Sequence, residues 1–527
     1  VRFGTTFEGM SLPRELNFGT AGMRAPIGPA TDQMNVTQVT RVTAGVAAWL
    51  AHKIGQERNE HPVASVCSQQ GPLRVVVGYD ARYGSPNFAI TAAEVFAGAG
   101  FEVTLLPAPA PTQIIPWLIR FRGLDAGVQI TASHNPSAYN GYKVYLADGA
   151  QLDASAEREI EAMIREVTSP IDVPRVMVRP TTDQLRRYID DITDLIAPTQ
   201  AELLRVNNER AALKVAYTSL HGVGGRAMTQ ALQAAGFAQI FPVLAQHYPD
   251  PLFPTVDFPN PEEPGVTDLL LGTAAEHDVD VLIALDPDAD RCAIGVRTAD
   301  GSHRMLRGDE LGPLLATRLV PPFLGGGPAP VVVTSEVSSR LLQVIAAERG
   351  WDYQESCTGF KNLIRAATSR PGELVFAYEE ANGTAPAPHL VADKDGIATA
   401  LFACAWAAEL KAQGLTLLDE LTALHKRYGI FAGTQVAVRT SDPEGLLAAL
   451  RAHPPTHLAG ETIHAADLSI SDGILLSGAG VRALARTSGT ENKLKFYLEV
   501  HQPWTPEGAN EQLERLRAEV ELLVASL

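Results

Sequence analysis

The chain is 527 residues long, 46% hydrophobic and 20% charged, which supplies apolar material for several cores and excludes a disordered chain. At ~150 residues per domain, that length predicts three or four domains. Lys and Arg number 43 against 60 Asp and Glu, a formal net charge of −17; with no segregated basic patch this argues against a nucleic-acid partner but leaves room for a small anion held by a few converging cations.

In chain order, short apolar runs alternate with stretches of helical period, the pattern of helices covering a largely parallel sheet, so the predicted class is α/β. Strands are predicted at Leu73–Val77, Glu102–Leu106 and Gly127–Ile130, with an amphipathic helix between the first two and an acidic helix over Ala154–Val167. Thr182–Ile196 reads as a polar helix between domains, and a new strand opens at Leu213–Tyr217. Tyr248–Gly265 holds six prolines and excludes a regular element; it is either a flexible linker or a stiff extended loop. The second region ends in Val279–Leu285, and the third begins with a helix at Gly308–Val320, a strand at Val331–Thr334 and a helix at Ser338–Arg349. The longest apolar stretch, Gly396–Ala408, is Ala-rich and falls short of the ~20 residues that cross a bilayer. After a helix at Leu417–Tyr428, strands such as Thr434–Val438 and Leu494–Val500 alternate with helices, a smaller α+β domain. The expected domains are 1–190, 191–303, 304–428 and 429–527. Cys67, Cys292, Cys357 and Cys404 lack metal-ligand spacing and suit a reducing compartment, and no basic-then-apolar leader is seen, so a cytoplasmic location is expected.

Three motifs carry chemistry. Thr131-Ala-Ser133-His134-Asn135-Pro136 follows a strand, so Ser133 is an exposed hydroxyl with His134 and Lys143 near it in sequence as proton acceptors or cationic partners; a polar turn is the plainer reading. The flanking Thr131 and Asn135 exclude the GxSxG elbow of a hydrolase. Asp286-Pro-Asp288-Ala-Asp290-Arg291 ends the buried strand Val281–Leu285. Alternate side chains of an extended chain share a face, so three carboxylates converge there and call for a cation such as Mg²⁺; the alternative is a solvated acidic turn. Arg291 and Arg297 stand where an EF-hand needs glycine and an acid, which excludes that calcium loop. Arg486-Thr-Ser488-Gly489-Thr490-Glu491, with Lys493 and Lys495 behind it, is either an anion nest suited to phosphate or a polar turn.

Weaker clusters are Asn17-Phe-Gly19-Thr-Ala-Gly22-Met-Arg24, which either brings an arginine on flexible glycines to a transferring phosphoryl group or is a plain surface turn, and Tyr378-Glu379-Glu380-Ala-Asn382-Gly383, which either bonds sugar hydroxyls or carries merely solvated glutamates. Gly222-Val-Gly224-Gly225-Arg-Ala227 matches GxGxxA, but Leu244, Ala245 and Gln246 stand where a dinucleotide site wants an acid, so nucleotide binding is not expected.

In this order, TASHNP at 131–136, DPDADR at 286–291 and RTSGTE at 486–491 resemble the phosphohexomutase family of phosphoglucomutases and phosphomannomutases, over nearly the whole chain from FGTAGMR at 18–24 onward. The resemblance implies three α/β domains with mixed sheets plus a smaller C-terminal α+β domain around a central cleft. It makes Ser133 the phosphorylated serine, with Asp286, Asp288, Asp290 and the Ser133 phosphate holding Mg²⁺. It sets Arg24 and Lys143 beside the transfer, Lys143 as general acid/base and His134 assisting. Arg291, Thr358, Gly359, Lys361, Glu380, Asn382 and Lys394 fall on substrate-binding segments, and Arg486, Ser488, Gly489, Thr490 and Lys495 would grip the phosphate that is not reacting.

The implied reaction converts α-D-glucose 1-phosphate, with mannose as a second sugar, into the 6-phosphate, with a hexose 1,6-bisphosphate as intermediate and activator. The expected partners are a phosphorylated sugar, no nucleic acid and no membrane, in a monomer or small homo-oligomer. The EEANG loop, Phe360 in place of a histidine and Asn492 in place of a proline depart from common patterns. TGFK, EEAxG and DKDG look closer to the branch that contains the mammalian second phosphoglucomutase isoform. The alternatives are therefore a phosphopentomutase, a glucose-1,6-bisphosphate synthase and, in another class, a non-catalytic sugar-phosphate binding protein.

Overall fold

The structure, a computed structural model, describes residues 22–60, 71–468, 470–488, 492–503 and 505–526. Contacts divide the chain into two compact units: residues up to Gln184 together with Asp250–Phe258, and Leu185–Pro249 together with Pro259 onward.

The first unit holds one mixed sheet built from β1 (Met23–Pro26), β2 (Arg74–Tyr79), β3 (Glu102–Leu105), β4 (Ala126–Ile130) and β5 (Tyr139–Leu146), in the order β1-β5-β4-β2-β3. β4, β2 and β3 run parallel, while β5 lies antiparallel to both β4 and β1. Val75, Val76 and Val77 are fully buried, as expected of a parallel strand with both faces covered. Helices Val36–Glu60, Ser85–Gly98, Ile114–Arg122 and Ala154–Glu166 accompany the sheet. The last begins where the Asp153 side chain accepts from the Ser155 and Ala156 amides, satisfying donors the first helical turn leaves open.

The second unit repeats this pattern with β6 (Lys214–Thr218), β7 (Gln239–Pro242), β8 (Val281–Leu285), β9 (Cys292–Arg297) and β10 (His303–Met305), ordered β10-β9-β8-β6-β7 with β9 antiparallel to β8. A third sheet of β11 (Val331–Ser335), β12 (Asp352–Ser356), β13 (Leu374–Glu379) and β14 (Gly383–Ala385) is ordered β12-β11-β13-β14, again with one antiparallel edge. The chain then forms β15 (Ile430–Arg439), the short pair β16 (His457–Leu458) and β17 (Glu461–Thr462), β18 (His464–Asp467), β19 (Gly473–Ser477), β20 (Val481–Thr487) and β21 (Lys493–Gln502). β15-β21-β20-β19-β18 make an antiparallel sheet backed by the helices Pro443–Ala452 and Pro506–Ser526. The predicted α/β class with a smaller α+β region at the end is therefore the one observed.

Three expectations are corrected or resolved. The helix expected to be a polar connector, observed at Leu185–Asp194, buries Leu185, Tyr188, Ile189 and Ile192, and Tyr188 donates to Asp395 Oδ1 at 2.6 Å; its polar residues form only the outer stripe of an amphipathic helix. The helix expected from Ser338 begins at Leu341, because the Ser338 hydroxyl bonds Ser335 and the Ser339 amide bonds Asp309, a local turn that competes with helix. The proline-rich segment has no regular element, and its Asp250–Phe258 part packs as a piece of the first unit. The Ala-rich stretch lies in the helix Gly396–Ala412, nearly all of it buried. No described helix is long and apolar enough to cross a membrane. Cys292, Cys357 and Cys404 are free thiols, and Cys67 lies outside the described residues.

Candidate functional site

Two of the three motifs, and the weaker cluster at 378–383, occupy equivalent places in three sheets. Each time a parallel strand ends, the chain reverses, and the next strand returns antiparallel beside it: residues 131–138 between β4 and β5, 286–291 between β8 and β9, and 380–382 between β13 and β14. In each reversal a non-glycine residue takes the left-handed conformation: Ser133 (φ 53°), Ala289 (φ 60°) and Asn382 (φ 59°). Such backbone is strained and persists only where its surroundings over-determine it.

In the first unit, Ser133 is 3% exposed. The open hydroxyl expected from the sequence is thus corrected: the residue is nearly closed to solvent. Ser133 Oγ lies 3.2 Å from His134 Nδ1, and its amide donates to Thr131 Oγ1 at 2.9 Å. The Phe258 ring meets the His134 ring edge-on at 5.6 Å. Arg24, paired on β1 with Gly141 of β5, donates to Asn135 Oδ1 at 3.3 Å. Lys143, two residues along β5, is 3% exposed. A Cβ at Gly141 would stand 2.5 Å from the Thr131 carbonyl and 2.6 Å from that of Met23, so glycine is what lets β1 and the serine turn close on β5. Arg24, Ser133, His134 and Lys143 thus belong to one end of one sheet. Residues 17–21 of the glycine-containing segment lie outside the described residues.

In the second unit, Asp286, Asp288 and Asp290 are buried and offer carboxylate oxygens within 4.8 Å of one another. They converge on a turn and not along an extended strand, the geometry expected from the sequence: β8 stops at Leu285, and Ala289 turns the chain. Burial, and then the charges of Asp288 and Asp290, push the Asp286 carboxyl well above its ordinary range against the pull of Arg291. Three buried, mutually repelling carboxylates are a donor set that suits a hard divalent cation. The glycine motif at 222–227 explains itself by packing: a Cβ on Gly222 would lie 2.2 Å from the Pro287 carbonyl oxygen, and one on Gly225 would lie 2.2 Å from that of His247. Its glycines seat the aspartate turn, whose Pro287 carbonyl accepts from the Val223 amide at 2.8 Å.

The sugar-loop candidates join this turn directly. The Cys292 amide donates to the Asn382 carbonyl at 3.0 Å, and Arg291 bridges to Gly383. Glu380 accepts from the Ser335 and Ser338 hydroxyls at 2.9 and 3.3 Å. Neighbouring Glu379 accepts from the Gly359 amide at 2.7 Å. Lys361 and Lys394 are buried, and Lys394 pairs with Asp290 at 3.3 Å. Arg486 donates to Thr358 Oγ1 and sits opposite Lys495 across β20 and β21. The Ser488 amide donates to the Lys493 carbonyl at 2.9 Å. Gly489 and Thr490 lie outside the described residues. Cations, hydroxyls and amides of this kind can hold a phosphate, and the carboxylates beside them can accept sugar hydroxyls.

Family models described as Phosphoglucomutase/phosphomannomutase, alpha/beta/alpha domains I, II and III match residues 15–170, 186–301 and 307–428. The chain belongs to the phosphoglucomutase/phosphomannomutase family. It is 36% identical over 437 residues to a probable phosphomannomutase of Haemophilus influenzae, covering 81% of this chain and 87% of that one. It is 30% identical over 566 residues to a phosphopentomutase of Mus musculus, covering 97% and 87%. To a phosphoglucomutase of Staphylococcus haemolyticus it is 30% identical over 533 residues, covering 94% and 92%. The fold is similar to that of a putative phosphomannomutase from Thermus thermophilus, with a TM-score of 0.74 at 21% identity, covering 97% of this chain and all of the other. These relatives are phosphomutases, so the chain is an isomerase of the intramolecular phosphotransferase type.

In this phosphomutase no sequence motif points to Asp80 and Arg82. Both follow β2 and are buried, with Arg82 Nε 3.2 Å from Asp80 Oδ2. Burial pushes the Asp80 carboxyl above its ordinary range even against the Arg82 charge. The available signal was a charged pair just past the carboxyl end of a parallel strand, where α/β sheets gather function.

Proposed function

We propose that this phosphomutase interconverts α-D-glucose 1-phosphate and glucose 6-phosphate through a phosphorylated Ser133. Ser133 gives its phosphoryl group to the free hydroxyl of the bound sugar monophosphate: the Ser133 O–P bond breaks, a sugar O–P bond forms, and Lys143, assisted by His134, takes the hydroxyl proton. The other phosphoryl group of the bisphosphorylated sugar then goes back to the serine: that sugar O–P bond breaks, the Ser133 O–P bond re-forms and the freed sugar oxygen takes the proton back from Lys143, so the bisphosphate is both intermediate and activator. Arg24 flanks the transferring group, and Arg486, Ser488, Gly489, Thr490 and Lys495 grip the phosphate at rest. Asp286, Asp288 and Asp290 would hold Mg²⁺, which when bound supplies positive charge for a phosphoryl group in transfer. Glu380 and Asn382, with Thr358, Gly359, Lys361, Arg291 and Lys394 around them, bind the sugar.

The observation that carries this reading is the Ser133 hydroxyl, buried in a strained turn at hydrogen-bond distance from His134. The likeness to a mouse phosphopentomutase over nearly the whole chain and Phe360 in the TGFK loop favour a second reading, with ribose 1-phosphate as substrate. Turnover of glucose, mannose and ribose 1-phosphates, with and without glucose 1,6-bisphosphate, tests both. Glucose turning over fastest, and a phosphate on the Ser133 peptide lost in Ser133→Ala, are expected; a ribose preference selects the second reading. Failure on all three sugars with no phosphoserine sinks both.

A further inference from the structure

We infer that Arg82 is the positioning residue that holds Ser133 ready for phosphoryl transfer, and that Asp80 and Phe253 fit it for that task. The inference rests on the phosphoserine reading above. A reversal between β4 and β5 leaves several backbone carbonyls without ladder partners, and buried carbonyls need donors. Arg82 supplies them: Nη2 donates to the carbonyls of Ser133 at 2.5 Å and Asn135 at 2.6 Å, and Nη1 to those of Pro136 at 2.9 Å and Tyr139 at 3.1 Å. Only a guanidinium offers donors in a rigid planar fork of this breadth. Its remaining donor, Nε, faces Asp80. With its donors turned to the loop and to Asp80, Arg82 acts through the turn and not on the phosphate.

A guanidinium 2% exposed needs a fixed counter-charge. Asp80 gives it and is itself fixed, one oxygen accepting from the Arg82 amide at 3.0 Å and the Ser85 hydroxyl at 2.6 Å. Asn140, from the far side of the turn, donates to the same Ser85 oxygen at 2.8 Å, which ties both ends of the loop to one cluster. Phe253 covers the Arg82 guanidinium with its ring at 5.0 Å, a favourable contact for a desolvated cation. Five residues along the same segment, Phe258 borders His134. One irregular segment thus seats both the arginine beneath the serine turn and the histidine beside the hydroxyl.

The test uses the full chain with Arg82→Lys and Phe253→Leu. Lysine keeps the charge but lacks the fork. Each variant is compared with the unaltered protein for thermal midpoint, for the rate at which Ser133 gains phosphate from glucose 1,6-bisphosphate by intact mass, and for kcat and KM with the preferred sugar 1-phosphate. A misaligned nucleophile predicts that folded Arg82→Lys loses about a hundredfold in kcat and in phosphorylation rate, while KM moves less than about threefold. Phe253→Leu loses less, with the same split. A folded Arg82→Lys with unchanged phosphorylation rate, or a change confined to KM, overturns the inference and leaves the function reading standing. If Arg82→Lys does not fold, an unchanged phosphorylation rate in Phe253→Leu overturns it. If the unaltered protein never gains phosphate on Ser133, the function reading falls first and this inference with it.

Discussion

Lys394 Nζ stands 3.3 Å from Asp290 Oδ2 and 3.6 Å from Asp393 Oδ1, all three side chains nearly closed to solvent. Burial draws the Lys394 ammonium down, but Asp290, Asp393 and Glu379 outweigh it and hold the group above its ordinary range. The lysine offsets part of the charge that the aspartate turn concentrates. Lys394→Met should therefore destabilise the metal-free protein by roughly 3 kcal/mol, the scale for stripping one partner from a buried pair. In saturating Mg²⁺ the loss should shrink, because the ion supplies the missing positive charge. Urea midpoints in EDTA and in MgCl₂ check this; an equal loss in both would mean that lysine and metal do not share the same electrostatic task.

Gly222 has no room for a side chain. A methyl there would stand 2.2 Å from the Pro287 carbonyl oxygen and 2.3 Å from its Cα, both backbone atoms that cannot swing aside. Gly222→Ala should displace the aspartate turn and weaken Mg²⁺ binding by about tenfold or more, as expected when a fixed coordination geometry is disturbed. Gly272, in the helix Asp268–His277 with open space around it, is the control: Gly272→Ala should stabilise by about 0.5–1 kcal/mol and leave metal binding alone. Calorimetric Mg²⁺ titration of both variants measures the contrast, and equal affinities would count against the packing explanation.

Asp309 accepts from the Ser339 amide at 2.7 Å and the Tyr378 hydroxyl at 3.3 Å. Burial, helped by the charges of Glu380 and Glu499 and opposed by that amide and Arg307, pushes its carboxyl up to about 7. The folded state then holds a proton that the unfolded chain gives up near the ordinary value of 3.8. Between these values the native state binds more protons, so Asp309's contribution to stability declines as pH rises toward 7 and levels off above it. Asp309→Asn removes this dependence and should flatten the stability profile between pH 4 and 7. Urea midpoints across that range give the answer; an unchanged slope would show that Asp309 titrates as if exposed.

Much of the architecture is legible because its signals are local. Val75–Val77 and Val281–Leu285 read as buried strands from their apolar runs, and the helix Leu417–Tyr428 is framed by Thr416, whose hydroxyl and Asp419 cap each other, and by Gly429. The hydroxyl, acidic and basic motifs stand out because charge at a strand end is conspicuous. What stays hidden is set by distant partners. Nothing around Ser133 announces that its carbonyl is met by an arginine 51 residues earlier, or that residues 250–258 fold back onto the first unit. The left-handed backbone at Ser133, Ala289 and Asn382 is equally silent, since none is glycine. Each such residue sits between two strands that the turn must join, and the hydroxyl expected to be open is found buried at one of them.

The three reversals are pinned at both feet by strand ladders, and their tips are closed to water as well, with Ser133, Ala289 and Asn382 each at most 5% exposed. An exchange at such a tip must therefore satisfy both the bent backbone and the packing around it. Under the proposed function, any retuning of sugar preference at 380–382 would have to be written within a backbone that the flanking strands already dictate.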